Sequence, residues 1–295
     1  MSRTRTRDHF PQGTRIGDYV IEHELGFEEI GTVYLGRHAV LPRHAEVKVM
    51  HAGENWLRAK AVQMLREACL LEALAHPGVP RVYECGVLGD KRPWSAFEHV
   101  DGTSFGTLLA NGPMPLADVL ELVRDVADIL DHIHRRGIVH RKLSAEAIVR
   151  TPKRRYPVYV RHWGEACTLD AQGHIAIDAR DDVHELGVIA FRALTGHMPD
   201  LGGNARDRYP NAPSDVARLL DTMLAIDPSD RPTSADVRER ARNLGDVLAR
   251  GATTDPGLRA AYQTGTAAAT TAAPPPVDPT AGFSIRIGPS RTRTR

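Results

Sequence analysis

A long amphipathic segment that ends in a glycine and a polar loop constrains this chain more than any other feature. Residues 116–135 predict a helix, because apolar residues recur on one face at helical spacing: Leu122, Val126, Ile129, Leu130 and Ile133. Gly137 follows, and a glycine at that point is typical of a helix C-terminal cap. Residues 137–149 then predict an exposed loop between this helix and a strand. The chain therefore needs a core large enough to bury one long helix beneath a polar loop.

The segments on either side of this helix differ in periodicity. Before it, residues 18–22, 31–36 and 45–50 alternate and are rich in β-branched side chains, which predicts strands. Residues 60–74 predict one helix, with these residues at helical spacing: Val62, Leu65, Cys69 and Ala73. After it, three segments predict helices, the last with Thr233 and Asp236 as a capping box: 182–194, 214–226 and 233–250. This order predicts a small sheet with one helix, followed by a mainly helical region.

Composition and charge exclude several classes of protein. The chain has 295 residues and a formal net charge of +1, so no global excess of positive charge indicates a nucleic-acid partner. Its three cysteines are far apart in the sequence and form no C-x-x-C pair, which indicates neither a zinc site nor a disulfide framework and suits a reducing cytoplasm. No apolar run approaches the roughly 18 residues that a membrane span requires. We therefore expect a cytoplasmic protein with no membrane span and no nucleic-acid partner.

The loop at 137–149 resembles the catalytic loop of protein kinases, H-R-D-L-x-x-x-N. Three residues match this motif: His140, Arg141 and Leu143. The position of the catalytic aspartate holds Lys142, and the position of the metal-binding asparagine holds Ala147. A lysine has an unperturbed pKa of about 10.4, so Lys142 is protonated at neutral pH and cannot accept a proton from a substrate hydroxyl. The motif's own lysine is replaced by Ser144, which removes a cation that would stabilise transition-state charge.

Other segments resemble kinase motifs in the family's order. Residues 25–34 resemble the glycine-rich loop G-x-G-x-x-G-x-V, with three matches: Gly26, Gly31 and Val33. The middle glycine is replaced by Glu28, whose side chain obstructs close approach of the backbone to phosphates. Lys48 matches the strand lysine, and Glu67, 19 residues later (67 − 48), matches its partner on the following helix. This pair positions phosphates in active kinases, and alone it can instead hold a helix against a sheet.

The resemblance implies a vestigial nucleotide pocket around these residues. Residues 94–102 resemble the last small-lobe strand and the hinge, with Phe97 at the gatekeeper position. Glu46 stands where the family has an alanine that touches adenine, and a carboxylate there must be paired or hydrated. The slot is therefore either polar and wet or filled by the protein itself. The implied pocket positions, obstructed by Glu28 and Glu46, are Gly26, Gly31, Val33, Lys48, Glu67, Glu98, Val100 and Val149.

The family's D-F-G motif corresponds to residues 162–164. His162 replaces the magnesium-binding aspartate, and a neutral imidazole is a poor ligand for Mg²⁺. Glu165 is a substitute only after a register shift, and a His-based zinc site has no matching partners nearby, so we expect no metal site. Only 18 residues (182 − 164) lead from this motif to Asp182, with no A-P-E motif between them. The activation segment is thus truncated, and Arg231 lacks the glutamate with which the family pairs it.

Both ends of the chain predict flexible tails. We expect residues 1–16 to be a disordered N-terminal tail and residues 251–295 to be an Ala/Thr/Pro-rich flexible tail. The arginine-flanked threonines and serines at both ends are either solvated, or targets for a basophilic kinase, or weak anchors to an anionic surface. Residues 282–288 alternate like a strand and are either an added sheet strand or plain disorder.

The resemblance covers residues 17–250 and identifies the chain as a degenerate member of the bacterial Hanks-type Ser/Thr protein kinase family. It implies an α+β, two-lobed fold, with an antiparallel-sheet N-lobe at about residues 17–98 and a mainly helical C-lobe at about 102–250. We expect a pseudokinase that serves as a scaffold or allosteric partner in signalling. We expect no cofactor, and a protein partner such as an active kinase or a phosphopeptide-binding protein.

Two alternatives to this reading stay open. One is a nucleotide sensor with weak or metal-independent ATP binding. The other is a divergent ATP-dependent Ser/Thr kinase, or another enzyme of nucleotidyl chemistry, that uses Lys48, Glu67 and Glu165. Oligomeric state has no signature in the sequence.

Overall fold

The computed structural model describes residues 9–52, 57–152, 154–169, 178–200, 205–210 and 212–251. These residues form a small lobe built on one sheet and a larger lobe built mainly of helices. The predicted α+β, two-lobed fold is confirmed.

The small lobe is a six-stranded antiparallel sheet in the order β1-β2-β3-β4-β6-β5. Its strands are β1 (Arg15–Ile16), β2 (Tyr19–Phe27), β3 (Gly31–His38), β4 (His44–Met50), β5 (Val82–Val87) and β6 (Pro93–Glu98). One face of the sheet buries an aromatic core that includes Tyr19, Tyr34 and Trp94. β4 is central, with β3 on one side and β6 on the other, and it carries both Glu46 and Lys48.

The predicted N-terminal tail, residues 1–16, needs correction. β1 pairs with β2, and the side chain of Ile16 is buried in the sheet core. Upstream of β1, the Phe10 ring packs edge-on against Tyr34 at a centroid distance of 5.9 Å. Burial of these two apolar side chains anchors a segment that is otherwise polar. The folded structure therefore begins before residue 17, and residues 1–8 lie outside the described part of the chain.

Helix α1 (Leu57–Glu72) packs beside β5 and β6. It begins three residues and ends two residues earlier than the predicted range of 60–74. The four residues whose spacing predicted this helix are all exposed: Val62, Leu65, Cys69 and Ala73. The exposed fraction of Val62 is 63%. The buried face carries a different set: Met64, Glu67, Ala68 and Leu71. The orientation of α1 therefore places Glu67 against the sheet and leaves part of its apolar surface in solvent.

The larger lobe contains β7 (Thr103–Ser104), α2 (Phe105–Leu109), α3 (Leu116–His134), β8 (Ile138–Val139), β9 (Ile148–Arg150), β10 (Val158–Val160), β11 (Cys167–Thr168), α4 (Arg180–Thr195), α5 (Ala205–Arg208), α6 (Ser214–Met223) and α7 (Ser234–Gly251). β9 pairs with β10 and β7, while β8 pairs with β11. The helices predicted at 182–194, 214–226 and 233–250 are confirmed, with boundaries that differ by at most three residues.

Helix α3 lies at the centre of the larger lobe, as its periodicity predicts. All five residues that defined its apolar face are buried, and the helix packs against α4 and α7. The glycine does not cap the helix directly. α3 ends at His134, Arg135 is the cap residue, and Gly137 adopts a left-handed φ of 67° where the chain turns into β8.

The start of α7 follows the predicted capping pattern. The Asp236 N–H donates to the Thr233 hydroxyl at 3.2 Å, and the Thr233 N–H donates to the Asp236 carboxylate at 3.1 Å. Just before this cap, Arg231 forms an ion pair with Asp181 at 2.8 Å and donates to the Ala225 carbonyl at 2.8 Å. Arg231 therefore finds its partner on α4 and does not face solvent.

None of the helices that the structure describes is long and apolar enough to cross a membrane. The predicted C-terminal tail from residue 252, including the strand-like segment 282–288, lies outside the described residues. So do residues 170–177 of the shortened activation segment.

Candidate functional site

A cavity of about 480 Å³ lies between the two lobes. Its walls come from β2, β3, β4, α1, the segment after β6, and β10 with the residues that follow it. Five of the predicted pocket residues line it, together with Phe97 at the gatekeeper position: Gly26, Val33, Lys48, Glu67 and Glu98. Both residues predicted to obstruct the pocket, Glu28 and Glu46, line it as well.

Lys48 is the centre of an ion-pair cluster in this cavity. Its ammonium lies 2.9 Å from the Glu67 carboxylate and 2.8 Å from the Glu28 carboxylate. Lys48 and Glu67 are buried, with 5% and 7% of their surfaces exposed. Burial disfavours a charged lysine, but the two carboxylates outweigh it and raise the pKa of Lys48 to about 12. Lys48 is therefore a permanent cation that contacts protein carboxylates on two sides.

Two glutamates of the loop between β2 and β3 form ion pairs with lysines of the small lobe. Glu28 contacts Lys48, and the neighbouring Glu29 pairs with Lys60 of α1 at 2.8 Å. The Glu28 N–H donates to the Gly31 carbonyl at 2.9 Å, which closes the turn. Both negative side chains of this loop thus neutralise the protein's own lysines.

A second polar cluster lines the cavity beside the segment after β6. The Glu46 carboxylate lies 3.2 Å from His99 Nδ1 and 3.7 Å from the Arg161 guanidinium. The hydrogen bond that the His99 ring donates to Glu46, together with the charges of Glu46 and Asp101, outweighs burial and raises the pKa of His99. Of the two alternatives that the sequence left open for the carboxylate at position 46, paired or hydrated, the structure shows pairing, and the sequence did not identify His99 and Arg161 as the partners.

The backbone at Glu98 is hydrogen-bonded within the protein. The Glu98 N–H donates to the Arg81 carbonyl at 2.8 Å, and the Glu98 carbonyl accepts from the Tyr159 hydroxyl at 3.3 Å. Burial raises the pKa of Tyr159, so its hydroxyl remains a donor at neutral pH. The carbonyl that would face adenine is therefore already engaged. Sequence reasoning missed Tyr159, because a contact across 61 positions leaves no local pattern.

Three predicted pocket residues do not line the cavity. Val100 and Val149 pack with Tyr159 in a buried cluster, so the tyrosine separates them from the open space. Gly31 packs against the backbone of Val49, where any Cβ would clash. These three residues lie outside the lining of the cavity.

The loop at 137–149 is held by a buried aspartate from α4. Asp182 is 0% exposed, and its carboxylate accepts hydrogen bonds from the N–H groups of His140 and Arg141, both at 2.8 Å. The same carboxylate lies 2.9 Å from Nε2 of His134. His140 is itself fully buried, which lowers its pKa, and its Nε2 lies 3.0 Å from the Arg161 carbonyl. Buried side chains therefore hold the backbone of the loop in place.

This arrangement has counterparts among known proteins. Residues 19–175 match the family model described as the protein kinase domain, which is 157 of 295 residues (175 − 19 + 1). The chain belongs to the protein kinase family. Its two lobes, its buried Lys48–Glu67 pair and the frame of its catalytic loop are the kinase features that the sequence predicted.

Similar proteins are bacterial kinases. The chain is 29% identical over 278 residues to the serine/threonine-protein kinase pkn2 of Myxococcus xanthus, covering 79% of this chain and 32% of that protein. It is 28% identical over 280 residues to PknJ of Mycobacterium tuberculosis, covering 82% of this chain and 47% of that protein. The chain thus spans a third to a half of the length of these relatives. A crystal structure of the Mycobacterium tuberculosis PknI kinase domain shares the fold, with a TM-score of 0.65 at 23% identity, over 80% of this chain and 99% of that one.

The residues that replace the catalytic-loop motif differ in their surroundings. Lys142 is exposed, whereas Ala147 is fully buried. The Ser144 hydroxyl accepts a hydrogen bond from the Ala147 N–H at 3.2 Å, so it stabilises the loop backbone. Lys142 also lines a smaller cavity of about 280 Å³ together with His162 and Glu165.

The D-F-G position keeps its packing group. His162 has a left-handed φ of 65°, and burial lowers its pKa, so its imidazole is neutral at pH 7. Trp163 is buried and packs edge-on against His140 at a centroid distance of 4.6 Å. The aromatic ring thereby connects this turn to the catalytic loop, as the family pattern implies.

The two metal-ligand positions of the kinase pattern carry side chains that do not suit Mg²⁺. Mg²⁺ prefers carboxylate and water oxygens, and neither neutral His162 nor Ala147 supplies one. In the part of the chain that the structure describes, no group of three His, Cys, Asp or Glu side chains is placed to hold a metal ion. Lys48, which would meet phosphate, already contacts Glu28 and Glu67.

Proposed function

We propose that this chain is a kinase-family domain that does not transfer phosphate and acts by binding another protein. The Lys48 cluster carries the proposal. In active kinases this lysine contacts nucleotide phosphates, whereas here the Glu28 carboxylate lies 2.8 Å from its ammonium. Glu28 thus supplies from within the chain the negative charge that a phosphate would bring.

The positions of the chemical groups support the same proposal. Lys142 stands in the place of the general base, and losing a general base alone costs roughly 10²–10⁴-fold in rate. His162 and Ala147 stand in the places of the two metal ligands. Without a metal clamp, charge that develops on the transferred phosphoryl group lacks its main stabiliser.

The retained frame supports a binding role. Asp182, His140 and Trp163 hold the catalytic loop and the following turn in one arrangement, to which the Ser144 hydroxyl adds a hydrogen bond with the loop backbone. A rigid domain of this kind is suited to be a scaffold or an allosteric partner in signalling. The partner class that we propose is an active kinase or a phosphopeptide-binding protein.

Nucleotide sensing is a second candidate, because the cavity of about 480 Å³ is large enough for a small molecule. The Lys48–Glu67 pair is also in place. A nucleotide would have to displace Glu28 from Lys48 and compete with Glu46 in the adenine slot. Such binding would be weak and independent of metal.

Thermal unfolding of the full chain with ATP, in Mg²⁺ or in EDTA, tests these proposals together with an assay for γ-phosphate transfer. A ligand at 100 times its dissociation constant adds about 2.7 kcal/mol of stability, which is easily measured. We expect no shift in either condition and no transfer. A shift in EDTA that grows in Glu46→Ala, but not in the control Glu22→Ala outside the cavity, would favour the sensor. A Mg²⁺-dependent shift with transfer that Lys48→Ala abolishes would contradict the proposal.

A further inference from the structure

Two of the three cysteines line one groove of the small lobe. Cys69 lies on α1 and Cys85 on the edge strand β5, 16 positions apart (85 − 69), and both line the groove between these elements. Both side chains are exposed, whereas Cys167 is buried. The sequence alone does not indicate that these cysteines form a pair, because their spacing matches no motif.

The side chains of the groove influence the Cys85 thiol. Burial raises the pKa of the Cys85 thiol, and negative charge on Cys69, Glu84 and Glu72 raises it further. Because α1 packs against β5, the two cysteines lie on facing elements of this groove. Because the thiolate is the reactive form, a raised pKa makes Cys85 a slow initial nucleophile, and it is suited to react second.

We propose that Cys69 and Cys85 are a modification site that forms an intramolecular disulfide with hydrogen peroxide. The Cys69 thiolate attacks one peroxide oxygen, the O–O bond breaks, and the sulfur becomes a sulfenic acid as one water leaves. The Cys85 sulfur then attacks the Cys69 sulfur, the S–O bond breaks, and a second water leaves. Two thiols are oxidised to one disulfide, and one peroxide is reduced to two waters.

The charges in the groove favour a small neutral oxidant. Glu72 and Glu84 line the groove beside the two cysteines. Their negative charge disfavours the approach of an anionic disulfide such as oxidised glutathione. Hydrogen peroxide is uncharged and small enough to reach either exposed thiol.

The bond would link α1 to the edge of the sheet. Cys69 follows Glu67 by two residues on the same helix, and Glu67 is the partner of Lys48 in the cavity. The disulfide therefore fixes the helix that carries this pair. This inference concerns the small lobe alone and does not depend on whether the domain transfers phosphate.

Peptide mapping of the full chain after peroxide treatment and alkylation tests the site. We expect a loss of two hydrogens from the reduced mass, a cross-linked pair of peptides containing Cys69 and Cys85, and a Cys167 that is still a free thiol. Cys69→Ser and Cys85→Ser should each abolish the cross-link, and Cys167→Ser should leave it unchanged.

Three results would overturn the proposal: separate oxidation of both cysteines to sulfinic acids, a disulfide that includes Cys167, or a covalent dimer of two chains in place of the internal bond. Urea unfolding gives an independent measurement. The oxidised wild type should unfold at a higher urea concentration than the reduced protein, and this difference should vanish with a reducing agent and be absent in Cys85→Ser.

Discussion

The loop between β2 and β3 and the catalytic loop depart from the kinase pattern in opposite ways. Near the first loop, the chain keeps the charged pair Lys48–Glu67 and adds Glu28 as a second carboxylate on Lys48. In the catalytic loop, it keeps the backbone frame through Asp182 and replaces the reactive side chains, with Lys142 at the position of the base. One region retains its charged residues and pairs them with one another, while the other retains its backbone frame and differs from the kinase pattern at the positions of the reactive groups.

The difference shows that the retained Asp182 and Lys48 have structural roles in the fold that the replaced Lys142 does not have. Asp182 is buried and accepts hydrogen bonds from two backbone N–H groups, so removing it leaves donors without partners. Lys48 is buried between two carboxylates, so the fold needs it whether or not a nucleotide binds. Lys142 is exposed, and the structure places no such demand on it.

The largest effect in this comparison should come from Asp182→Ala. The substitution leaves the N–H groups of His140 and Arg141 and the ring of His134 without their shared acceptor in a solvent-free site. We expect a loss of about 3–5 kcal/mol in the free energy of unfolding, measured with urea. Asp182→Asn keeps one acceptor oxygen and should fall between Asp182→Ala and the wild type.

Asp215→Ala is the control, since this carboxylate on α6 is exposed and pairs only loosely with Arg218 at 3.7 Å. It should change the free energy of unfolding by less than about 0.5 kcal/mol. If Asp182→Ala cost as little as this control, the catalytic loop would not depend on the buried carboxylate, and the contrast between the two loops would fail.

Lys48→Met and Lys142→Met test the other side of the comparison. Lys48→Met leaves the buried carboxylate of Glu67 without a counter-ion, which we expect to cost about 3 kcal/mol. Lys142→Met changes an exposed side chain and should cost less than about 0.5 kcal/mol. Urea unfolding of both variants measures the difference. Equal costs would mean that Lys48 has no structural role, and its retention would then point to a ligand.

Periodicity and motif spacing predicted the parts of this fold that depend on neighbouring residues. The core face of α3 follows from apolar residues three and four positions apart, and all of them are buried. The pair of Lys48 and Glu67 follows from a spacing that the family fixes. The capping box of Thr233 and Asp236 is local in the same sense.

Contacts between segments that are far apart in the sequence were not predicted. The exposed Val62 and Leu65 were the strongest apolar pattern on α1, but the helix turns Glu67 inward because its partner lies on β4. Tyr159 binds the backbone at Glu98 across 61 positions, and nothing local distinguishes it from a core tyrosine. The partners of Glu46 were missed for the same reason, since His99 and Arg161 come from two other segments.

The smallest effect concerns the pH dependence of the Glu46–His99 pair. The hydrogen bond that the His99 ring donates to Glu46 raises the pKa of His99 above that of an unfolded histidine, near 6.5. The stabilisation from this pair is therefore fully present below pH 6.5 and is lost as the pH rises through the folded-state pKa of His99. Glu46→Gln should destabilise the domain at pH 6 by less than about 1 kcal/mol, because the pair is partly solvated, and have less effect at pH 8.5.

An NMR titration of the His99 imidazole measures the cause directly. Its pKa should fall in Glu46→Gln and stay unchanged in Glu22→Gln, which alters a glutamate that pairs with His44 and Arg37 on the opposite part of the sheet. Asp101, 3.3 Å from His99 Nε2, supplies a smaller share of the charge, so some elevation should persist in Glu46→Gln. A His99 that titrates below the ordinary value in the wild type would mean that Glu46 does not hold it. The slot beside the hinge would then be open to a ligand, while Lys48 would remain enclosed by Glu28 and Glu67.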